Sequence, residues 1–382
     1  MVNTHVFIVD EITFKYHLEH LFAGTGAKDY VIDFNNSSNS SLNSTRENLL
    51  IGMIADLSRI RIGDYIIFYL QQSKKVGDGK FYGIFKAKSL GFLDNNDENQ
   101  YLNEELKKSL TFRILIEPFE VYPQGVTEWE ALDEIRNIQT PSQMIWSLIY
   151  RKLKANRGNT MITIYESERL FYLIRAKNQR KIITSKSFSF DIQQQIIIST
   201  SNNPHNYDGR KEKIIILPRL ITKYKNNLAF ENHLQAFILQ NLEQNNYLKR
   251  LLINNKNLEW IGNEVSCGVG MQRIDILLSF NEKDRFITPI ELKAVPASLL
   301  NKKQIQRYID WLKQYYLPNR VSSIQPILIS RRFDDKNSEL YLSIIESFKC
   351  LNEENKDCLP LRFIEFYLND NSELIFEEVN YK

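Results

Sequence analysis

Cysteine is scarce: Cys267, Cys350 and Cys358 are the only three in a chain of 382 residues. No CxxC pair and no Cys/His cluster occurs among them, which excludes a disulfide scaffold and a zinc finger and fits a reducing compartment. Long hydrophobic runs are missing as well. No apolar stretch approaches the roughly 20 residues that span a bilayer. The opening MVNTHVFIVDEITF lacks a basic segment leading into an apolar one, so it does not read as a secretory signal. The expectation is a soluble cytoplasmic protein without membrane contact. Strong net charge is absent, since 49 basic residues against 46 acidic ones leave +3. Any nucleic-acid footprint must therefore be a local patch rather than a field over the whole surface. Nucleotide and hydrolase signatures are absent too: GTGAKD and GDGK lack the P-loop pattern and read as turns, and no GxSxG occurs. HLEH puts His17 and His20 on one helix face without a third ligand or HExxH spacing, so both are expected at the surface.

What is present suffices for two domains. The chain is long enough for both, and 43% hydrophobic residues can fill two cores. Residues 1–175 show several strands (HVFIVD, RIGDYIIFYL, GKFYGIFKAK, TFRILIEPFEVY) with Gly-bearing turns and few helices, which predicts a small β-barrel with helices. SQMIWSLIYRKLKAN has helical apolar spacing, and FNNSSNSSLNSTREN reads as a polar loop. From 176 to 228 the pattern loosens into polar, basic and Pro/Gly-bearing segments, which predicts a connecting region. Residues 229–382 then change period. A helix with Leu234, Phe237, Ile238 and Leu242 inward precedes three strands, a helix over 301–316, and further strands around another helix. The order α-β-β-β-α-β predicts an α/β sheet flanked by helices, so the whole is a two-domain α+β protein.

One segment of that second region poses a chemical problem. PIELKAV, residues 289 to 295, is an internal-looking strand that carries Glu291 and Lys293 on one face. Burying either charge without a partner is costly, so the pair asks for a metal or a phosphate. Asp275 lies in RIDILL on the preceding strand. If the two strands form a hairpin, its carboxylate meets Glu291 at one sheet end. Two carboxylates, a backbone carbonyl (Leu292) and water make a donor set for Mg²⁺. Lys293 then serves as a point charge toward water or a scissile phosphate.

These residues resemble the PD-(D/E)XK nuclease superfamily, and within it the NucS/EndoMS-like (RecB-like) nuclease domain, over roughly residues 229 to 330. The resemblance rests on Glu231 in the leading helix, Asp275 in GMQRIDILL, Glu291 and Lys293 in IELK, and Gln304 and Tyr308 in QIQRYIDWL. It implies a restriction-endonuclease-like α/β core. Asp275, Glu291, Leu292 and Glu231 would hold metal, Lys293 would assist the nucleophile, and Gln304 and Tyr308 would complete the site. The last two stand at i and i+4 and share a helix face. More softly, RIGDYIIFYL and GKFYGIFKAKSLGF resemble EVE/PUA-like β-barrels, which bind nucleic acid and hold a flipped, modified base. That resemblance implies a stacking pocket, for which Tyr69, Tyr82, Trp129 and Trp146 are the candidates. Lys74, Lys75, Lys80, Arg151, Lys152, Lys154 and Arg157 are candidates for phosphate contact.

Together the resemblances imply an Mg²⁺-dependent DNA endonuclease that cuts modified DNA in phage defence, with RNA left open as substrate. A sequence-specific restriction enzyme, a mismatch nuclease and a non-catalytic nucleic-acid binder are the rival readings. Cutting both strands would favour a homodimer.

Overall fold

The computed structural model describes residues 2–26, 44–73, 77–133, 139, 158–201, 205–254, 256–267, 272–281, 283, 285–318 and 320–381. Between Ile214 and Ile215 the chain divides into two compact units. The helix expected around 142–154 lies outside the described residues, as do Trp146 and every basic candidate for phosphate contact except Lys80.

In the first unit the order is β1 (Thr4–Val9), α1 (Glu11–Glu19), β2 (Phe22–Thr25), α2 (Ser44–Ser58), β3 (Tyr65–Leu70), β4 (Lys80–Ala87) and β5 (Phe92–Leu93). Then come α3 (Asn103–Leu106), β6 (Phe112–Glu120), β7 (Val126–Thr127), α4 (Glu128–Asp133), β8 (Asn159–Ile162), α5 (Ile164–Lys177), β9 (Phe188–Asp191) and β10 (Ile196–Ser199). Asp10 caps α1 through a reciprocal bond pair with Thr13, and Thr163 caps α5 with Glu166 in the same way. The main sheet runs β2-β6-β4-β3-β1-β8, with β1 and β3 parallel. Its path is open, with β2 and β8 at its ends, so the expected barrel is a curled sheet that does not close among the described residues. The reason lies in the pairing: β1 takes β8 on one side and β3 on the other, leaving β8 no strand to close onto. Val6, Ile67, Phe81, Leu170 and Ile174 form one core cluster between the sheet and α5.

The stretch expected as a connector, 176–228, carries elements of both units. β9 and β10 form an antiparallel hairpin packed on α1, and α6 (Leu217–Lys225) opens the second unit. Short apolar strands such as FSFD are easily lost among polar neighbours, because the alternation is too brief to register.

The second unit continues with α7 (Glu231–Asn241), α8 (Asn246–Leu248), β11 (Leu258–Ser266), β12 (Arg273–Phe280), β13 (Phe286–Pro296) and α9 (Leu300–Trp311). It ends with β14 (Ser323–Ile324), β15 (Ile327–Arg331), α10 (Glu339–Glu354), β16 (Arg362–Leu368) and β17 (Leu374–Glu378). The expected α-β-β-β-α-β order holds, and α9 runs on into a π turn at Leu312–Tyr316. Strands order as β11-β12-β13-β15-β16-β17, antiparallel at both ends and parallel through β13, β15 and β16. Ile287, Thr288, Ile290, Glu291 and Leu292 are all buried, as befits a central strand packed by both α7 and α9. Leu234, Phe237, Ile238 and Leu242 face inward on or beside α7, and Ile305, Ile309 and Leu312 do so on α9.

Candidate active site

β12 and β13 pair up to Ile276 and Ile290. Asp275 and Glu291 lie one step beyond that last pair, so the hairpin register brings the two carboxylates to one end of the sheet. Asp275 Oδ2 accepts from the Leu292 backbone N–H at 2.7 Å. Glu291 is 2% exposed. Its Oε1 pairs with Lys293 Nζ at 2.6 Å, and its Oε2 accepts from the Tyr308 hydroxyl, which also lies 2.9 Å from the Arg273 carbonyl oxygen. Glu231 stands at the start of α7 and at the rim of the cluster. Its Oε1 is 4.0 Å from Lys293 Nζ and accepts from the Ala294 N–H at 3.4 Å.

The electrostatics follow from this crowding. Burial first, and the Glu291 charge second, push the Asp275 carboxyl well above the usual carboxylate range. Burial works against the charge of Lys293, but the carboxylates around it, Glu291 foremost and then Glu231 and Asp275, together outweigh that and raise its pKa. Burial and then Glu291 raise the Tyr308 phenol, so it remains a donor. Among the described residues no group of three or more His, Cys, Asp and Glu is arranged to hold a metal ion. The donor set is nonetheless suited to a hard cation: Lys293 pairs with Glu291 and stands near Glu231, while Asp275, bonded to the Leu292 N–H, is the carboxyl whose ionisation a nearby positive charge would favour. Leu292 adds its backbone next to both.

Gln304 is the member the structure leaves apart. Its Oε1 accepts from Asn301 Nδ2 at 3.0 Å, and Asn301 Oδ1 in turn accepts from the Ser298 N–H at 2.7 Å. It thus belongs to the network that fixes the entry to α9. Two neighbours escaped the sequence reading. Gln235, one turn after Glu231 and 4% exposed, donates from Nε2 to the Asp275 carbonyl at 2.8 Å, while its Oε1 has no hydrogen-bond partner. The i, i+4 spacing from Glu231 was the available signal. Cys267, at the end of β11, is buried beside this cluster, and burial pushes its thiol up to about 12. Nothing in its sequence context marks it.

In the first unit the described aromatic candidates, Tyr69, Tyr82 and Trp129, do not assemble into one pocket. Tyr69 is 2% exposed and its hydroxyl donates to Glu128. Tyr82 is fully buried, packs on Phe14 and Phe190, and donates to the Gln195 carbonyl at 2.7 Å. Both rings are core residues, on opposite faces of the sheet: Tyr82 shares the Phe68 face with Phe14 and Phe190, and Tyr69 shares the Phe81 face that packs on α5. Trp129 is 58% exposed, with Nε1 donating to Asp78 at 2.8 Å. Lys80 is engaged with Gln195 at 2.5 Å. An opening exists elsewhere, as a cavity of about 460 Å³ lined by the ends of β1 and β2, the start of α1, and residues 107–110. Histidine 17, expected at the surface, lines this cavity with no exposure to solvent at all. The HLEH spacing sets it on the inner face of α1, against Phe22 and Phe68. His20 is only half buried and stacks on His205.

No protein-family model and no curated protein matches the chain. Partial likenesses among solved structures include a hypothetical protein from Leishmania major, at 9% identity and TM-score 0.28, covering 46% of this chain and 97% of that one. Human THYN1, solved with DNA containing 5-methylcytosine, is similar at 8% identity and TM-score 0.26, over 45% of this chain and 96% of its own. Pyrococcus furiosus SfsA, solved with Ca²⁺, gives 17% identity and TM-score 0.26 over 38% of this chain and 61% of its own. Likenesses of this size carry no weight for fold or chemistry, and the functional reading rests on the residues themselves.

Proposed function

We propose that the protein is an Mg²⁺-dependent DNA endonuclease of the PD-(D/E)XK type, acting on modified DNA in defence against phage. The observation that carries this reading is the convergence of Asp275, Glu291, Lys293 and Tyr308, drawn from two strands and a helix, at one sheet end. A surface hairpin has no use for a nearly buried Glu bonded at once by a lysine and a tyrosine.

The chain's own groups have separable tasks. Asp275 and Glu291 present oxygens to the cation, with the Leu292 carbonyl beside them. Glu231, half exposed at the rim, suits a bound water or a weaker second ion. Tyr308 holds one Glu291 oxygen and Lys293 the other, so the carboxylate is fixed in orientation and would present an oxygen to a cation. The Lys293 ammonium, partly exposed at the strand end, is placed to donate to the attacking water or to the scissile phosphate. When bound, a divalent ion supplies Lewis acidity and positive charge at a phosphodiester oxygen. Gln304 acts by fixing the start of α9, and through it Tyr308.

The test is incubation of the full chain with matched plasmids, bearing unmodified or modified cytosines, in Mg²⁺ or in a chelator. Mg²⁺-dependent conversion of modified plasmid to nicked or linear forms is expected. Equal cutting of both plasmids would favour a sequence-specific or mismatch nuclease. Cutting of neither, with retained binding, would favour a non-catalytic binder, and cutting of RNA alone would reassign the substrate.

A further inference from the structure

Next to the candidate site, the second unit holds an apolar turn out in solvent. Val295, Leu299 and Leu300, between the end of β13 and the start of α9, are 58%, 49% and 67% exposed. Single exposed aliphatics are ordinary, but three of them in one short turn form a patch. The turn is fixed from within. Ala297 and Asn301 are buried, the Ser298 N–H donates to Asn301 Oδ1 at 2.7 Å, and the Asn301 N–H donates to the Ser298 carbonyl at 3.0 Å. Polar groups are thus satisfied inside while aliphatic side chains are held outward, the reverse of an ordinary polar turn.

Unpaired positive charge flanks the patch. Leu300, Lys303 and Arg307 fall at i, i+3 and i+7 of α9 and share one face, away from the buried Ile305 and Ile309. Lys303 and Arg307 are exposed, and neither is paired with an acid among the described residues. The other lysines of this segment are engaged, Lys302 with Glu354 and Lys313 with Asp357. Asp310, the acid nearest along this face, accepts from Gln306 Nε2 at 2.8 Å. Aliphatic tips backed by free cations complement a polymer whose phosphates lie outside and whose apolar base faces stack within.

Given the nuclease reading of this unit, on which the inference rests, the place of the patch defines its role. β13 and α9 both carry site residues, so a protein partner seated on the turn between them would obstruct the substrate. Val295 follows Lys293 by two residues, about 7 Å along an extended strand. Leu300 precedes Tyr308 by eight residues, about 12 Å along a helix. Successive bases of one strand are about 3.4 Å apart. We propose that Val295, Leu299 and Leu300 form a wedge that enters and unstacks a base step about two to four nucleotides from the scissile phosphate, with Lys303 and Arg307 on the flanking phosphates. Unstacking kinks the duplex, which lets one strand approach carboxylates that are recessed in a sheet end.

The experiment uses the full chain carrying Asp275→Asn to prevent cutting. Matched duplexes, continuous or lacking one nucleotide, carry 2-aminopurine at several adenine positions, and their cytosines are unmodified or 5-methylated. Binding is read by anisotropy and unstacking by 2-aminopurine fluorescence. The continuous duplex should brighten on binding, and the gapped one should bind about tenfold tighter because its step is already unstacked. Val295→Thr/Leu299→Ser/Leu300→Ser, whose new residues suit a strand and a helix start, should remove both effects. Lys303→Gln/Arg307→Gln should weaken both duplexes alike and lower the salt slope by about 2. A continuous duplex that binds without brightening overturns the proposal, and so does a gap preference that survives the triple variant. So does a wild-type dimer that the triple variant dissociates in sedimentation with DNA binding unaltered, which makes the patch a contact between copies. The wild-type chain with Mg²⁺ on the continuous duplexes separates the two readings. Cutting without brightening keeps the nuclease and removes the wedge; brightening without any cutting does the reverse, and binding to neither duplex removes both.

Discussion

Replacing Asp275 by Asn should make the second unit more stable in the absence of divalent ions and indifferent to their presence. The carboxylate and its replacement have the same shape, and the amide oxygen can still accept from the Leu292 N–H that Oδ2 accepts from at 2.7 Å. What changes, above the raised Asp275 pKa, is charge. Cross-strand partners sit about 5 Å apart, and at an effective dielectric of about 20 two like charges at that distance repel by roughly 3 kcal/mol. Lys293, 2.6 Å from Glu291, offsets part of this, and Asp275 is itself only partly buried. A net relief of about 1–2 kcal/mol remains, or about 2–8 °C in melting temperature for a unit of this size. The wild-type chain behaves oppositely when the ion is supplied, gaining about 2.7 kcal/mol at a hundredfold excess over Kd. Scanning calorimetry of both proteins, in chelator and across an Mg²⁺ series, reads the two effects independently. The reasoning fails if the variant melts below wild type in chelator, or if Mg²⁺ raises both melting temperatures equally.

Three further outcomes are expected. Tyr308→Phe, which strips the donor from Glu291 Oε2, should lower cleavage about 10- to 100-fold at limiting Mg²⁺ and recover at high Mg²⁺, as a cleavage titration would show. Gln235→Leu, which removes the bond to the Asp275 carbonyl, should weaken Mg²⁺ binding in a calorimetric titration by about 10-fold or more; an unchanged titration returns Gln235 to a packing role. The first unit should lose stability in acid. The His17 pKa falls from 6.5 in the unfolded chain to about 3 in the folded one, so the unfolded state takes up the proton first. The stability is whole above pH 6.5 and drains as pH falls toward 3, by about 2 kcal/mol between pH 6.5 and 5. Denaturant melts at those two pH values should show the loss, and a folded His17→Phe variant should show less of it. His5, shifted in the same direction, keeps some slope.

The second unit was legible because its signals are long and redundant. An eleven-residue strand, a twelve-residue helix with Ile305 and Ile309 in its apolar stripe, and polar residues out of place on a buried strand each point the same way. Tyr308 was placed by its spacing from Gln304, yet only three-dimensional packing shows that the tyrosine reaches Glu291 while the glutamine turns to Asn301. The first unit was harder. Tyr69 and Tyr82 look alike in a core and in a stacking pocket, since an aromatic side chain serves both, and which way a strand faces depends on partners far along the chain. His17 was misplaced for the same reason. Its helix has polar residues all round, so periodicity gave no inner face, and the inner face came from Phe22 and Phe68 on other strands.

One feature of β13 explains why charged groups tolerate a central strand. Its pairing with β15 is regular through Lys293 and Ser330, then slips so that Pro296 meets Arg331. On the other side, pairing with β12 stops at Ile290. The strand therefore runs on past its last antiparallel pair, from Glu291 to Pro296, and loosens from its parallel neighbour just after Lys293, where Ala294 lies. Backbone groups freed there need partners, and they take them from side chains: Leu292 N–H from Asp275, and Ala294 N–H from Glu231. The irregularity that weakens the sheet is thus what draws the carboxylates together. Proline at 296 cannot donate to the ladder and so helps end the pairing. Straightening the strand, for instance by Pro296→Val, should tighten the sheet edge and pull Glu231 and Asp275 off the backbone. Such a variant should gain amide protection at Leu292 and Ala294 in hydrogen exchange while losing Mg²⁺ affinity. Unchanged exchange with unchanged metal binding would separate the slip from the site.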